Sequence, residues 1–395
     1  MRKFPWPTKK LEDICELIRG SEPGSESYFN EVNEERIRFI RVGDISGKVD
    51  QPKFIDKKLS NLVVVNPDEI LISFDGTPGI VAKGWSGAIA SGIRVIRNIK
   101  PEILREFLFY YLQTSQPQEV IKFYTTGVTI LHASRAIPYI KIPLPPLKIQ
   151  QKIVERIEEL FEKIDKAKEL RQKAQEETEQ IFQSALQEIF SKVENKWGLE
   201  KLGKISNIFA GSSAPQGQKY FENGKYPFVR VQDLGRCGKT KNLIKIKDKV
   251  NNLALKDHHL VFAKKGTILF PKSGAAIFTN SRAILGVDAY IVGHLAAIVP
   301  HKSTIMTDWI FYWLYQFDMA ELTKTTSLPS LNLSLIKNLE IPLPPLSEQK
   351  KIVDYLDDLR EKVEKLKQLQ QKQLEELNEL KNSILDKAFR GELIK

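Results

Sequence analysis

The residue types best suited to catalysis do not occur here at the spacings that catalytic sites need. His258 and His259 are adjacent rather than four residues apart, and Cys237 is distant from them in the sequence, so a metal site is not predicted. Pro67-Asp68 is similar to the start of a nuclease motif, but no acidic-x-Lys segment follows at a useful spacing. Asn66-Pro-Asp lacks the second proline and the aromatic residue that would hold a flipped base. These observations favour a chain without a nuclease or methyltransferase site of its own.

Sequence patterns for cofactors are also absent. The chain has neither a Gly-x-Gly fingerprint for S-adenosylmethionine nor a Gly-x-x-x-x-Gly-Lys-Ser/Thr loop for a nucleotide. Cys15 and Cys237 are too few for a disulfide framework, as expected in a reducing compartment. The N-terminal residues form no apolar signal segment, and no apolar run approaches the roughly 20 residues that span a bilayer. We therefore expect a soluble, cytoplasmic protein with no membrane partner.

The chain contains a long internal repeat. The segment Ile142–Leu147 (Ile-Pro-Leu-Pro-Pro-Leu) returns as Ile341–Leu346, at an offset of 341 − 142 = 199 residues, and each copy leads into a charged segment with Gln150 or Gln349. Looser matches precede it: Trp6 with Trp197, Phe39–Ile45 with Phe228–Leu234, and Phe107–Leu112 with Trp309–Leu314. A repeat of this length predicts two similar bodies with equivalent tasks.

The globular parts of the repeat show mixed α and β patterns. Short β-branched or aromatic runs punctuated by Gly, Asn and Pro predict strands at Phe39–Ile45, Ile70–Phe74, Ile93–Ile96, Phe228–Leu234, Thr267–Phe270 and Ala296–Val299. The aromatic-rich blocks Glu106–Leu112 and Asp308–Leu314 are typical of buried helix faces rather than of platforms for stacked bases. A chain of 395 residues is too long for one ordinary core. We predict an α+β fold with two similar globular domains.

Two long helices should connect and follow these domains. Apolar residues recur at spacings of four and three from Leu147 to about Val193 and from Leu346 to about Phe389, which indicates a heptad seam. We divide the chain into a first domain at 1–146, a helix at 147–196, a second domain at 197–345 and a helix at 346–395. The chain path predicts an antiparallel coiled coil about 66 Å long, for some 44 residues at 1.5 Å each. The polar residues expected at mid-seam, which either fix the register or mark wet positions, are Arg171, Thr178, Gln370 and Gln373.

The positive charge is concentrated in the globular parts. The net charge is +11, of which residues 1–146 carry +3 (20 basic, 17 acidic) and residues 197–345 carry +9 (19 basic, 10 acidic). A basic globular surface is the footprint expected of a polyanion binder. The densest stretch includes Lys245, Lys247 and Lys249, which alternate as in a strand, and it is equally typical of a sheet edge protected by lysines.

Repeat, order and spacing together resemble one known family. Pro342-Leu-Pro-Pro-Leu-x-Glu348-Gln349, followed by Ile352-Val353, and the ending Lys387-Ala-Phe-Arg-Gly-Glu-Leu393 look like the specificity subunit of a type I restriction–modification enzyme. The resemblance covers the whole chain. The first copy departs from it, because Lys148-Ile-Gln150 lacks the Glu before Gln and Glu188-Ile-Phe-Ser191 replaces the Ala-Phe-x-Gly ending.

The resemblance implies a DNA-reading subunit without catalytic activity. Each of two target recognition domains would read one half of a bipartite DNA site, and the helices would set the spacer and hold two modification subunits. Those subunits would bind S-adenosylmethionine, and restriction subunits recruited to the assembly would bind ATP and Mg²⁺. No cofactor is expected in this chain itself.

Three pairs of repeated loops offer candidates for DNA contact. They are Gly20–Tyr28 with Gly211–Lys219, Asp75–Gly79 with Lys272–Ala275, and Thr125–His132 with Thr325–Ser330. Hydroxyl, amide and basic side chains can read base edges or hold phosphates, although such loops are also typical of ordinary turns. The candidate DNA-binding residues are Ser21, Arg41, Lys48, Gly76, Thr77, Thr129, His132, Ser212, Ser213, Gln216, Lys219, Arg230, Gln232, Lys272, Ser273, Thr326, Ser327 and Ser330.

Two alternatives remain open from the sequence. Arg41 and Arg230 suit phosphate contact better than base contact, but either could instead pair with Asp44 or Asp233. A coiled-coil scaffold whose domains bind protein is the rival function, and it predicts no salt-dependent binding to a long duplex. A self-sufficient enzyme would show activity in the isolated chain.

Overall fold

The computed structural model describes residues 6–48, 51–236, 241–317, 319, 322–323 and 330–393. The chain forms two compact units. Unit 1 comprises Met1–Arg171 with Lys372–Lys395, and unit 2 comprises Gln172–Gln371. Each unit therefore combines one globular part with segments of both long helices. The division into four segments, with boundaries after residues 146, 196 and 345, is a separate prediction that these two units do not test.

The globular part of unit 1 is built of short strands and few helices. In chain order they are β1 (Thr8–Lys10), β2 (Glu16–Arg19), β3 (Arg36–Ile40), α1 (Val42–Ile45), β4 (Lys53–Asp56), β5 (Val64–Val65), β6 (Ile70–Ser73), β7 (Asp75–Gly76), β8 (Val81–Ala82), β9 (Gly87–Ile89), β10 (Ile93–Arg97), α2 (Arg105–Leu112), α3 (Ser115–Phe123), β11 (Leu131–His132) and β12 (Lys141–Pro143). One sheet has the order β2-β10-β6-β8 and another the order β4-β3-β9-β5, and short pairs join β1 to β12 and β7 to β11.

The first long helix, α4 (Leu147–Lys196), begins directly after Pro145 and Pro146. Prolines end the preceding strand at no cost to the helix, because the first helical turn needs no backbone donors. The globular part of unit 2 follows, with β13 (Leu199–Lys201), α5 (Leu202–Ile205), β14 (Ser206–Ala210), β15 (Tyr226–Val229), α6 (Val231–Arg236), β16 (Asn242–Leu243), β17 (Asp248–Val250), α7 (Asn252–Asp257), β18 (Phe262–Ala263), β19 (Ile268–Pro271), β20 (Ala283–Leu285), β21 (Ala289–Ile291), β22 (Leu295–Pro300), α8 (Thr307–Leu314), α9 (Leu333–Asn338), β23 (Glu340–Pro342) and the second long helix α10 (Leu346–Phe389).

The sheets of unit 2 repeat the topology of unit 1. The order β14-β22-β19-β20 corresponds to β2-β10-β6-β8, with β16 added at the edge, and β17-β15-β21-β18 corresponds to β4-β3-β9-β5. The parallel pairing of β3 with β9 in unit 1 also recurs in unit 2, where β15 pairs with β21 in parallel. The predicted internal repeat and the α+β class are confirmed.

The two long helices run antiparallel within each unit. In unit 1, Asp165 contacts Lys381 at 2.6 Å and Lys168 contacts Asn378 at 2.6 Å, so rising numbers in α4 meet falling numbers in α10. Unit 2 shows the same order, because Thr178 is bonded to Gln370 and the next residue, Glu179, contacts Lys367 at 3.3 Å. The predicted antiparallel pairing is confirmed in both units. The seam is buried at Ile153, Ile157 and Ile164, whereas Ile181 and Leu380, which we placed in the apolar repeat, are nearly half exposed.

Each globular core is completed by the end of a long helix. In unit 1, Phe389 of α10 packs on Phe107 of α2, with ring centroids 4.8 Å apart. In unit 2, Phe190 of α4 packs on Trp309 of α8, also at 4.8 Å. Phe190 and Phe389 are 199 residues apart in the sequence, the offset of the helix repeat. The predicted buried helices at Glu106–Leu112 and Asp308–Leu314 are confirmed as α2 and α8.

Two strand predictions are wrong in their second halves. The segment Phe39–Ile45 is a strand only to Ile40 and continues as the helix α1, and Phe228–Leu234 is a strand only to Val229 and continues as α6. The cause is a carboxylate three residues into each helix. Asp44 and Asp233 each accept a hydrogen bond from the backbone N–H of the residue that caps the helix, Arg41 or Arg230. That N–H group has no acceptor within the helix, so the carboxylate satisfies it.

The alternating lysines after Asn242 also differ from expectation. Only Asp248–Val250 is a strand there, so Lys245 and Lys247 do not lie in a strand. The other predicted strands occur as β6, β10, β19 and β22, with ends shifted by at most one residue.

Candidate nucleic-acid interface

In unit 1, two of the predicted loops meet at the end of strand β6. The strands β7 and β11 pair in antiparallel register, with Leu131 opposite Gly76 and His132 opposite Asp75. Helix α1 lies beside this ribbon, because a Cβ atom added to Gly76 of β7 would lie 3.8 Å from Val42 Cγ1. The sequence therefore brings its second and third loops together, next to the segment that begins with Arg41.

A cluster of charged side chains surrounds Asp75. Its carboxylate contacts His132 Nδ1 at 2.8 Å, Arg19 at 3.8 Å and Arg94 at 3.9 Å. Burial and the neighbouring charge of Arg19 lower the pKa of the Arg94 guanidinium, and Asp75 opposes this shift. The side chains of Arg19 and His132 are about 60% exposed, whereas those of Asp75 and Arg94 are mostly buried. The mostly buried carboxylate of Asp75 thus fixes the exposed side chains of Arg19 and His132.

Unit 2 repeats the backbone of this cluster with other side chains. Lys272 N–H donates to the carbonyl of His294, Leu331 N–H donates to the carbonyl of Lys272, and Ser273 pairs with Ser330 as an isolated bridge. Ser273 Oγ lies 2.6 Å from His294 Nδ1. We call the residues Arg19, Asp75, Arg94 and His132 in unit 1, and Lys272, Ser273, His294 and Ser330 in unit 2, the strand-end clusters.

The glycine of the first loop is fixed by packing in both units. A Cβ atom at Gly20 would lie 2.3 Å from the carbonyl oxygens of Ile89 and Ala90, and one at Gly211 would meet those of Ile291 and Val292 as closely. The serines that follow point inward. Ser212 Oγ accepts a hydrogen bond from Val261 N–H at 3.0 Å, and Ser21 Oγ is buried. These two hydroxyls are therefore poorly placed to reach a base.

The two strand-end arginines are engaged in ion pairs. Arg41 Nε contacts Asp44 at 3.2 Å, while Arg38 contacts the other oxygen of the same carboxylate at 2.7 Å. Arg230 pairs with Asp248 through its side chain, and its backbone N–H donates to Asp233. Each arginine remains about 30% exposed. Their alternative role at phosphates stays a prediction.

The remaining predicted site residues fall into three groups. Exposed are Lys48, Gly76, Thr77, Thr129, His132, Ser213, Gln216, Lys219, Gln232 and Ser330; partly covered are Ser21, Arg41, Ser212, Arg230, Lys272 and Ser273; Thr326 and Ser327 lie outside the described residues.

Sequence reasoning missed the acidic centre of the unit 1 cluster and its buried partner. Arg19 and Arg94 lie directly opposite each other on β2 and β10, a pairing that requires the strand register. Like charges opposite each other are unfavourable unless a carboxylate compensates them, and Asp75 does so. The only available signal was an Asp directly after a buried strand.

Among the described residues no group of three or more His, Cys, Asp or Glu is arranged to hold a metal ion. No helix within the described ranges is long and apolar enough to cross a membrane.

Comparison with known proteins identifies the class to which this fold and these clusters belong. A model of the type I restriction modification DNA specificity domain matches residues 4–176 and again residues 194–376. The chain belongs to this family. It is a type I restriction enzyme specificity subunit with two target recognition domains, as the resemblance predicted.

Relatives match along nearly the whole chain. The MjaIX specificity subunit of Methanocaldococcus jannaschii is 27% identical over 390 residues, covering 91% of this chain and 87% of the relative. The EcoKI specificity subunit of Escherichia coli is 23% identical over 423 residues, covering 98% and 89%.

Solved structures give the same result. A chain from a study of complex assembly and conformational transition in a type I R-M system has a TM-score of 0.74 at 25% identity and covers 99% of this chain and 100% of that one. The HsdS subunit of Thermoanaerobacter tengcongensis has a TM-score of 0.53 at 25% identity, with coverage of 99% and 98%.

Proposed function

We propose that this chain is the non-catalytic DNA-reading subunit of its restriction–modification complex, and that each unit reads one half of a bipartite site. The observation that carries this proposal is the strand-end cluster, which both units build with the same backbone hydrogen bonds and different side chains. A shared scaffold with different exposed groups suits the recognition of two different half-sites.

The chemistry of the clusters supports direct contact with base edges. In unit 1, His132 is held at Nδ1 by Asp75, so its Nε2 atom is free to meet a base edge in the major groove. Gly76, Thr77 and Thr129 are exposed beside it. In unit 2, Ser273 and Ser330 pair as Asp75 and His132 do in unit 1, and together with Lys272 they offer two hydroxyls and an ammonium group.

We assign the phosphate contacts to basic residues outside these clusters. Arg41, Lys48, Lys219 and Arg230 keep exposed cationic surface, and cations position a protein on a duplex without reading its sequence. We assign to the two long helices the docking of two modification subunits and the setting of the spacer. S-adenosylmethionine would bind to those subunits, and ATP and Mg²⁺ to the restriction subunits.

A reconstitution experiment tests the division of labour. The purified chain is incubated with DNA and labelled S-adenosylmethionine, alone and after addition of the modification subunits. We expect no methyl transfer by the chain alone and methylation of a bipartite site by the complex, read out by methylome sequencing. Methyl transfer or DNA cleavage by the chain alone would contradict the proposal.

Substitutions in the two clusters test the assignment of half-sites. We expect Asp75→Asn to relax one half-site and Ser273→Ala to relax the other, each by about 5- to 150-fold in discrimination, because one good base contact is worth about 1–3 kcal/mol. Asp13→Asn and Ser303→Ala, at exposed positions outside the clusters, serve as matched controls. If both cluster variants relaxed the same half-site, the one-unit, one-half assignment would be wrong.

A further inference from the structure

The third loop of unit 1 ends in a tightly closed turn. Thr126 and His132 exchange both backbone hydrogen bonds, at 2.9 Å and 2.8 Å, which closes a turn over residues 127–131. Gly127 has a φ of 106°, and a Cβ atom there would lie 2.1 Å from the carbonyl oxygen of Ile130. Only glycine fits this position, so the turn has one specified shape.

This turn exposes large aliphatic side chains. Val128 is fully exposed, Ile130 is 57% exposed and Leu131 is 37% exposed. Burying a side chain of this size stabilises a protein by about 1.5–3 kcal/mol, and the turn forgoes most of that gain. A closed turn that leaves Val128 and Ile130 mostly in water is typical of a contact surface.

The surroundings of the turn carry positive charge and are continuous with the strand-end cluster. His132 closes the turn and contacts Asp75, to which Arg19 is also paired. Lys122 and Arg135 are exposed on the segments before and after it. A protein partner for an aliphatic surface does not require these neighbouring cations, whereas a polyanion does.

We propose that Val128 and Ile130 read thymine by contact with its C5-methyl group in the major groove. This inference rests on the proposed DNA-reading function, and it names the thymine methyl group as a feature of the half-site that unit 1 recognises. The major groove admits a two-stranded ribbon such as β7–β11, and the thymine methyl is the one apolar group that distinguishes a base pair there. The aliphatic tip meets the methyl groups while His132 and Arg19 meet polar base edges and phosphates.

Uracil substitution tests the proposal because it removes only the methyl group. The chain is assembled with its modification subunits and bound to a duplex that carries its methylome-mapped site, with each thymine replaced singly by uracil. We expect the wild-type complex to lose about fourfold in affinity at one or more positions of a single half-site, the value for burying one methyl-sized group. The double variant Val128→Ser/Ile130→Ser should bind the thymine and uracil duplexes equally at those positions.

Controls separate the possible failures. Val32→Ser, which replaces another exposed valine of unit 1, should keep the full preference for thymine. Circular dichroism should show both variants folded, with melting little changed, since the replaced side chains are mostly exposed. The proposal is overturned if no thymine is sensitive, if the double variant keeps the preference, or if it loses assembly with the modification subunits instead. Absence of any sequence-specific binding by the wild-type complex would instead sink the DNA-reading function itself.

Discussion

Two buried glutamines tie the start of each long helix to the globular part of its unit. Gln150 accepts a hydrogen bond from Leu104 N–H at 2.8 Å and donates to the carbonyls of Glu102 and Pro145. Gln349 makes the same three contacts in unit 2, with Met306, Thr304 and Pro344. Both side chains are fully buried. An amide is required here because it accepts once and donates twice in one plane.

We expect Gln150→Ala to lower the free energy of unfolding by about 2–3 kcal/mol, because it leaves the partly buried backbone groups of Leu104 and Glu102 and the buried carbonyl of Pro145 without this partner. Gln349→Ala should cost a similar amount in unit 2. Urea denaturation followed by circular dichroism measures both. Gln151→Ala, at the exposed neighbouring position, is the matched control and should change stability by less than about 0.5 kcal/mol. Equal midpoints for Gln150→Ala and Gln151→Ala would contradict the assigned role.

At the scale of single residues, the sequence indicated which positions are important better than it indicated the contacts that their side chains make. The repeat singled out Gln150 and Gln349, but two of the three partners of each lie more than 40 residues away in the sequence and become visible only once helix and loop are folded. Ser21 and Ser212 looked like loop residues, yet the close approach of Gly20 and Gly211 to a neighbouring strand turns them inward. Such tertiary contacts leave no periodic signal in the sequence.

At the scale of elements, periodicity predicted the helices well and the strand ends less well. The bounds of α10 agree with Leu346–Phe389 as predicted, because a heptad seam repeats over many turns and averages out local exceptions. The strand-to-helix changes at Arg41 and Arg230 depend on single carboxylates, Asp44 and Asp233. A run of β-branched residues does not predict that a strand will change into a helix.

One polar pair lies inside the seam of unit 2. Gln370 Nε2 donates to Thr178 Oγ1 at 3.0 Å and to the Ala174 carbonyl at 3.2 Å, and both side chains are buried. Thr178 Oγ1 donates to Ala174 as well, at 2.7 Å. Gln370 Oε1 is buried with no hydrogen-bond partner among the described residues. By contrast Arg171, which we also placed at mid-seam, is exposed.

The two members of this pair should respond to substitution with opposite signs. Gln370→Leu removes the unsatisfied oxygen and leaves Thr178 bonded to Ala174, so we expect it to raise the free energy of unfolding by about 1 kcal/mol. Thr178→Val leaves the Gln370 amide with one long hydrogen bond and should lower it by about 1 kcal/mol. Thermal unfolding of both variants measures the difference. Shifts of the same sign would show that side-chain packing, not hydrogen bonding, determines stability at this position.

At the scale of the whole molecule, the excess charge of residues 197–345 gives a prediction about DNA. Lys245, Lys247 and Lys249 are exposed, and two of them lie outside any strand. If they hold phosphates, changing all three to Gln in the full-length chain should reduce the magnitude of the salt slope for non-specific duplex by up to about 2.7, from 0.9 per contact. Lysines that only protect a sheet edge would leave the slope unchanged. Lys350, Lys351 and Lys362 of α10, which pair with acidic neighbours, are the matched control set.

The proposed role of the helices as a spacer ruler is testable through their register. The contacts of Asp165 with Lys381 and of Thr178 with Gln370 give paired residue numbers that sum to about 546. Deleting residues 167–173 together with their partners 373–379 removes one heptad from each helix and keeps the other pairs in phase. Seven residues at 1.5 Å correspond to about 10 Å. At 3.4 Å per base pair, we expect the methylated site to keep both half-sites and to shorten its spacer by about three base pairs.

Three base pairs also rotate one half-site relative to the other by nearly a third of a turn, on about 10.5 pairs per turn. We therefore expect lower activity, and the spacer preferred by the surviving methylation, read by methylome sequencing, is the decisive measurement. Deletion of 167–173 alone leaves seven residues of α10 without partners and should impair assembly, which makes it the matched control. If the double deletion folds, assembles and still prefers the original spacer, some element other than the paired helices sets the distance between the half-sites.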